Sequence, residues 1–248
     1  MMTAETHAKT HAKNPAWTVV IPVKGTALAK SRLGIAEPDR GELALAFAVD
    51  TVSAALAAVR VGTVIVVTAS DVVDRRMHNL GALTVRETSP AGLNPAIELG
   101  LDAARSHTPH APVAVLLGDL PALDSADLDA ALDRALDHPM AMVADAEGVG
   151  TVMVTALRVI HHRTAFGNGS RAAHLAAGYI ELDVDAGSGL RRDVDTLADL
   201  DDARQATRDD SVTRDDSVSR HDSASASRLG AATRRALERS TGAAASLP

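Results

Sequence analysis

Trp17-Thr18-Val19-Val20-Ile21-Pro22-Val23 is a β-branched, apolar run, the composition required of a strand buried on both faces. Gly62–Thr68 (GTVIVVT) and Ala111–Leu117 (APVAVLL) are two more such runs, the latter ending abruptly at Gly118-Asp119. Between the first two lies Asp39 or Arg40 through Arg60, rich in alanine and leucine at helical spacing with no glycine or proline after Gly41. The alternation continues along the chain. Asp71–Leu80, Asn94–Ser106 with Pro95 in its first turn, Asp124–Asp137 capped by Asp124 or Ser125, Arg171–Ala177 and Thr196–Arg204 read as helices. Ala82–Arg86, Met140–Ala144, Thr151–Ala156 and Tyr179–Val184 read as strands. Strand alternating with helix predicts an α/β fold, a mainly parallel sheet with helices on both faces, whose ligands sit outside the carboxyl ends of the strands.

Outward from this core the composition changes. Residues 1–15 carry a tandem THAK and read as a disordered leader, in which His7 and His11 are too few for a firm metal clip. TRDDSV occurs twice from Thr207 to Val218 and then degrades to SRHDSA, a charge-balanced hexad with almost nothing to bury. Residues 206–248 are therefore expected to form a low-complexity linker followed by a short amphipathic helix over 228–240, which leaves 16–205 as one domain.

Composition excludes several classes. There is no cysteine, so disulfides and thiolate sites are absent. No apolar run approaches the ~20 residues that span a bilayer, and the polar start is no secretory signal, so a cytoplasmic protein without membrane contact is expected. The net charge is −7, and residues 201–248 carry eight acidic and eight basic side chains, so the acidic surplus lies in 1–200. An acidic domain with 2% aromatics has neither the basic stripe nor the stacking platform of a nucleic-acid binder.

Four segments carry candidate chemistry. After the first strand, Lys24, Lys30 and Arg32 crowd one loop, although the chain has only four lysines against 21 arginines. A lysine ammonium is a compact charge suited to following a phosphate. Gly118-Asp119-Leu120-Pro121 places a carboxylate directly after a buried strand, where it needs solvent, a metal or a hydrogen bond, and Gly118 permits close backbone approach. In Arg192-Asp193-Val194-Asp195-Thr196 the two aspartates of an extended segment point to one side and could converge with Asp119 on an all-oxygen site, which suits Mg²⁺. The plainer reading makes Asp195 the cap of the helix starting at Thr196. Finally, Phe166-Gly167-Asn168-Gly169-Ser170 runs into a helix, with Ser170 at the cap position, and offers a glycine-rich anion site. Gly148–Thr151 is a weaker case of the same kind. His161 and His162 are expected on the surface, and His174 in core or surface rather than on a ligand. No G-x-S-x-G context supports a serine triad.

These four motifs, in the chain order Ile21–Leu33, Gly118–Pro121, Phe166–Ser170 and Arg192–Thr196, resemble the phosphoenolpyruvate/2-phospho-L-lactate guanylyltransferases of coenzyme F-420 biosynthesis, over about Trp17 to Leu200. The resemblance implies a Rossmann-like nucleotidyltransferase fold and GMP transfer from GTP to phosphoenolpyruvate or 2-phospho-L-lactate with release of pyrophosphate. It implies Mg²⁺ on Asp119, Asp193 and Asp195, and phosphoenolpyruvate held by Thr151, Gly167 and Ser170. Lys24 would face the nucleotide phosphates, Gly92-Leu93-Asn94 matches the stretch near the base, and Gly118 is placed with the nucleotide. Charge and loop position assign Lys24, Lys30 and Arg32 to the leaving pyrophosphate. Actinobacterial members of the family look like phosphoenolpyruvate enzymes, and the arginine-, alanine- and aspartate-rich composition fits a high-GC genome. The downstream transferase that consumes the unstable product is a candidate partner. Two alternatives stay open. Molybdenum-cofactor and sugar-phosphate nucleotidyltransferases carry a fuller L-x-G-G-x-S-x-R-x-G-x-x-K signature, which Pro22–Leu33 does not match. A non-catalytic nucleotide-binding α/β module is the alternative from another class.

Overall fold

The structure is a computed structural model that describes residues 16–24, 39–204 and 229–244. The THAK leader, the hexad repeat, Lys30 and Arg32 lie outside the described residues. Seven strands form one sheet: β1 (Trp17–Pro22), β2 (Val61–Thr68), β3 (Leu83–Arg86), β4 (Val113–Leu116), β5 (Met140–Ala144), β6 (Thr151–Ala156) and β7 (Ile180–Glu181). Their spatial order is β3-β2-β1-β4-β6-β5-β7. All adjacent pairs are parallel except those of β6, which runs antiparallel to both β4 and β5.

Strand alternation divides the core. Trp17, Val19 and Ile21 of β1 face α1 (Asp39–Ala57), α2 (Asp71–Leu80) and α4 (Ser125–Ala135), where they pack with Val52, Met77 and Leu132. Val20, between them, faces α3 (Leu93–His107) and packs with Ile97 and Leu101. Trp17 is wholly buried, so truncating it to alanine would cost about 3–5 kcal/mol. The caps follow the residue chemistry. Asp124 accepts a hydrogen bond from the Ala126 N–H, as its position before α4 predicts, and Ser70 accepts from Val73 at the start of α2.

α5 (Ser170–Ala176), α6 (Leu197–Arg204) and α7 (Ala231–Ala244) complete the fold. The helix expected over 228–240 is present as α7, three residues later at its start and longer at its end. It packs on α1. The Asp50 carboxylate caps it from outside, accepting from the N–H groups of Ala232 at 2.9 Å and Thr233 at 2.7 Å. Leu229 and Ala236 join Leu43 and Phe47 of α1, Leu200 of α6 and Val194 in a third apolar cluster. No described helix is long and apolar enough to cross a membrane.

Candidate active site

After β1 the chain builds β2 and β3 on one side, then returns to place β4 on the other. A crevice therefore opens at the carboxyl ends of β1 and β4. Because β6 is reversed, its first residue, Thr151, reaches the same edge as the last residues of β4 and β5. A cavity of about 910 Å³ lies there, lined by Lys24, Gly118, Asp119, Thr151, Gly167, Ser170, Asp193 and Asp195 among others. Four segments well separated in sequence thus meet in one place.

The wall at the β4 end is acidic. Gly118 permits the close approach expected of it, since a Cβ there would sit 3.1 Å from the Pro22 carbonyl oxygen. The Val194 N–H donates to the Asp119 carbonyl at 3.1 Å and docks the 193–195 segment against the β4 turn. Val194 is fully buried, and its neighbours Asp193 and Asp195 line the cavity, as extended alternation requires. Asp195 is not the cap of α6. Thr196 takes that role, its hydroxyl accepting from the Asp199 N–H, while the Asp199 carboxylate accepts from the N–H groups of Asp195 and Thr196. The geometry of this capping box leaves Asp195 on the cavity wall.

Asp145 and Glu147 also line the cavity, and sequence reasoning missed both. Asp145 follows a buried strand just as Asp119 does, so the signal was available. Its carboxylate is occupied locally, accepting from Val149 N at 2.9 Å and Gly150 N at 2.6 Å to shape the turn before β6. Glu147 is held above the usual carboxylate range, first by burial and then by the charges of Asp145, Asp199 and Asp195. Among the described residues Lys24 is the single cationic side chain on the wall, against five carboxylates.

A wall of carboxylates without thiolate or imidazole matches a hard cation such as Mg²⁺ in donor chemistry. Among the described residues, however, no three acidic or histidine side chains are grouped so that they could hold a metal ion. The closed three-carboxylate shell expected from the sequence is therefore not assembled. Mg²⁺ commonly takes only one or two carboxylates and completes its octahedron with phosphate oxygens and water, and that mode fits this wall.

The opposite wall is built from β6 and the 165–170 loop. Gly167 and Gly169 have φ of 138° and 70°, backbone that a residue with a side chain adopts only with strain, and this turns the chain into α5. Gly169, rather than Ser170, is the cap residue of α5, and Ser170 is its first member. The loop is pinned twice. The Asn94 side chain brackets Phe166, donating to its carbonyl and accepting from its N–H, both at 2.9 Å. The Ala165 N–H donates to Nε2 of His174 at 2.9 Å, and Nδ1 of that ring lies 3.0 Å from the Thr151 hydroxyl. Burial pulls the His174 imidazole below its ordinary pKa.

Two expectations change. Of the stretch Gly92-Leu93-Asn94, Leu93 lines the cavity while Gly92 and Asn94 do not, and the amide of Asn94 is engaged with Phe166, so it serves as a strut for the loop. His162 is buried rather than on the surface. Its Nε2–H donates to the Val113 carbonyl at 3.0 Å, and Nδ1 accepts from the Tyr179 hydroxyl at 3.2 Å.

A mostly parallel sheet with a large crevice at its topological switch, walled by carboxylates and a glycine-rich loop, is the architecture of a nucleotidyltransferase. A nucleotide-diphospho-sugar transferase assignment from Desulfovibrio desulfuricans G20 shares this fold at a TM-score of 0.62, with 14% identity and coverage of 91% of this chain and 95% of that one. A 4-diphosphocytidyl-2C-methyl-D-erythritol synthase shares it at a TM-score of 0.54, with 11% identity, covering 76% of this chain and 99% of that one. More specifically, the chain belongs to the family "Guanylyl transferase CofC like", which it matches over residues 17–199. It is 46% identical over 186 residues to the phosphoenolpyruvate guanylyltransferase of Streptomyces coelicolor, covering 74% of this chain and 88% of that protein. It is 45% identical over 185 residues to the enzyme of the same name from Thermomonospora curvata, covering 74% and 81%.

Proposed function

We propose that this protein transfers GMP from GTP to phosphoenolpyruvate, releasing pyrophosphate, as an early step of coenzyme F-420 biosynthesis. The observation that carries the reading is the meeting of Lys24, Asp119, Asp193 and Asp195 with Thr151, Gly167 and Ser170 on one cavity, in a chain about 45% identical to phosphoenolpyruvate guanylyltransferases.

A phosphate oxygen of the acceptor attacks the α-phosphorus of GTP. The bond from that phosphorus to the bridging oxygen of the β-phosphate breaks, and pyrophosphate carries away the electron pair. The nucleophile is already anionic near neutral pH, so the chain need supply no general base. What it must supply is in-line positioning and relief of the repulsion between two anions. Thr151, Gly167 and Ser170 form the acceptor side, Lys24 meets phosphate charge, and Gly118, on the cavity wall, is placed with the nucleotide. Lys30 and Arg32 are assigned to the leaving pyrophosphate from their place in the loop after β1. Asp119, with a carboxylate of the 193–195 segment, would hold Mg²⁺ beside the phosphates. Bound there, such an ion would supply charge neutralisation for the two anionic reactants. Phosphoenolpyruvate is favoured over 2-phospho-L-lactate by the names of the relatives. We infer a cytoplasmic protein whose candidate partner is the transferase that consumes its product.

Pyrophosphate release tests this directly. With GTP and Mg²⁺, release is expected only when a phosphorylated three-carbon acid is added. Release with a sugar phosphate instead would assign another nucleotidyltransferase, and no release with any acceptor would leave a binding module.

A further inference from the structure

We propose that His174 is a positioning residue that fixes the Thr151 hydroxyl as a hydrogen-bond donor toward the acceptor, through an imidazole that itself stays off the cavity wall. The inference rests on the reading of Thr151, Gly167 and Ser170 as the acceptor side.

His174 is fully buried, and its ring is wedged edge-on between Phe166 at 5.1 Å and Tyr179 at 5.3 Å, both at 71°. It therefore has one orientation. The Ala165 N–H donates to Nε2 at 2.9 Å, so that nitrogen presents its lone pair. A neutral imidazole carries one proton, which must then sit on Nδ1. Burial favours the neutral ring. The Nδ1–H consequently donates to the Thr151 oxygen at 3.0 Å, with the backbone of Ser170 as a further partner of the protonated ring. A hydroxyl that accepts this bond keeps its own proton to give elsewhere, and Thr151 lines the cavity. A backbone amide of the 165–170 loop thus sets the tautomer, the tautomer sets the polarity of Thr151, and an anionic acceptor meets a donor rather than a lone pair. His162 shows the contrast, because its Nε2 faces the Val113 carbonyl and must carry the proton.

Two substitutions separate the two ends of the ring. In His174→Asn the side-chain amide stands near Nδ1 and keeps a donor for Thr151. In His174→Gln the amide reaches toward Ala165 and loses Thr151. Steady-state kinetics of the full-length protein should show His174→Gln raising the KM for phosphoenolpyruvate about tenfold, with the KM for GTP and kcat little changed. His174→Asn should stay within about threefold of the parent, because it keeps the donor to Thr151 and loses only the Ala165 contact, at the low end of a net hydrogen bond. An unchanged acceptor KM in His174→Gln, or equal damage in both variants, would overturn the proposal. Thr151→Val distinguishes the two levels of the argument. If it leaves the acceptor KM unaltered, the acceptor reading itself fails; if it raises that KM while His174→Gln does not, only the role of His174 fails. The unsubstituted protein gives a second test that needs no variant to fold. In ¹⁵N spectra of histidine-labelled protein, His174 should be protonated on Nδ1, and protonation on Nε2 would overturn the assignment.

Discussion

The backbone N–H of Val194 donates to the carbonyl oxygen of Asp119 at 3.1 Å. Through that bond the turn after β4 and the segment before α6 become one structural unit. Val194 anchors the unit in the apolar cluster beneath α1, α6 and α7, and the carboxylates on either side of it line the cavity. Carboxylate position here is thus set by the burial of a valine.

Asp119→Ala and Asp193→Ala are expected to lower kcat/KM for guanylyl transfer by about 10³-fold, the several kcal/mol that charge neutralisation by a bound cation contributes. Their melting temperatures should stay within about 3 °C of the parent. Chelation should abolish turnover in the parent protein, and added Mg²⁺ should restore it. Near-parent activity in both variants would remove the metal from the account.

Asn94→Ala leaves both the N–H and the carbonyl of Phe166 without their side-chain partner. Urea denaturation should show a loss of about 2 kcal/mol. Kinetics should show weakened acceptor binding, because the freed loop carries Gly167 and Ser170. A base-contacting role would instead raise the KM for GTP.

The central strands β1, β2, β4 and β6 were legible because β-branched runs buried on both faces leave few other readings, and the exposed edge strands β3 and β7 still appear close to where the sequence places them. The reversal of β6 could have been read from its connection. Only six residues, 145–150, join it to β5, too few for a parallel crossover, so the pair must be antiparallel. That reversal is what brings Thr151 to the carboxyl edge of the parallel strands. Partners remote in sequence were hidden. An asparagine in the first turn of α3 reads as a ligand contact until Phe166 is seen against it, and a histidine within α5 gives no sign of reaching Thr151. The Thr196–Asp199 capping box could have been read from its spacing, and it would have released Asp195 from the role of cap.

Asp50→Ala removes the carboxylate that caps α7 across the interface with α1. A destabilisation of about 1–2 kcal/mol is expected. Limited trypsin digestion should then cut at Arg234, Arg235 or Arg239 faster than in the parent, and ahead of any site in the sheet. Unchanged protection of α7 would show that its apolar contacts alone hold it.

His162 gives the pH dependence. Burial pulls its folded-state pKa from 6.5 down to about 4. Above pH 6.5 the ring is neutral in both states and has no effect on stability. As pH falls from 6.5 toward 4 the unfolded chain takes up a proton that the folded chain refuses, so stability falls by up to about 3 kcal/mol. Denaturation curves at pH 7 and pH 4.5 should show this loss in the parent and a smaller one in His162→Asn. Equal slopes in the two proteins would contradict it.

The most direct measurement is mass spectrometry of the products formed from GTP and Mg²⁺ with phosphoenolpyruvate, 2-phospho-L-lactate and a sugar phosphate in competition. A guanosine diphosphate-bridged adduct of phosphoenolpyruvate, formed with stoichiometric pyrophosphate and lost in Asp193→Ala, is the expected result. A dominant sugar-phosphate adduct, or GTP left intact beside all three acceptors, would contradict it.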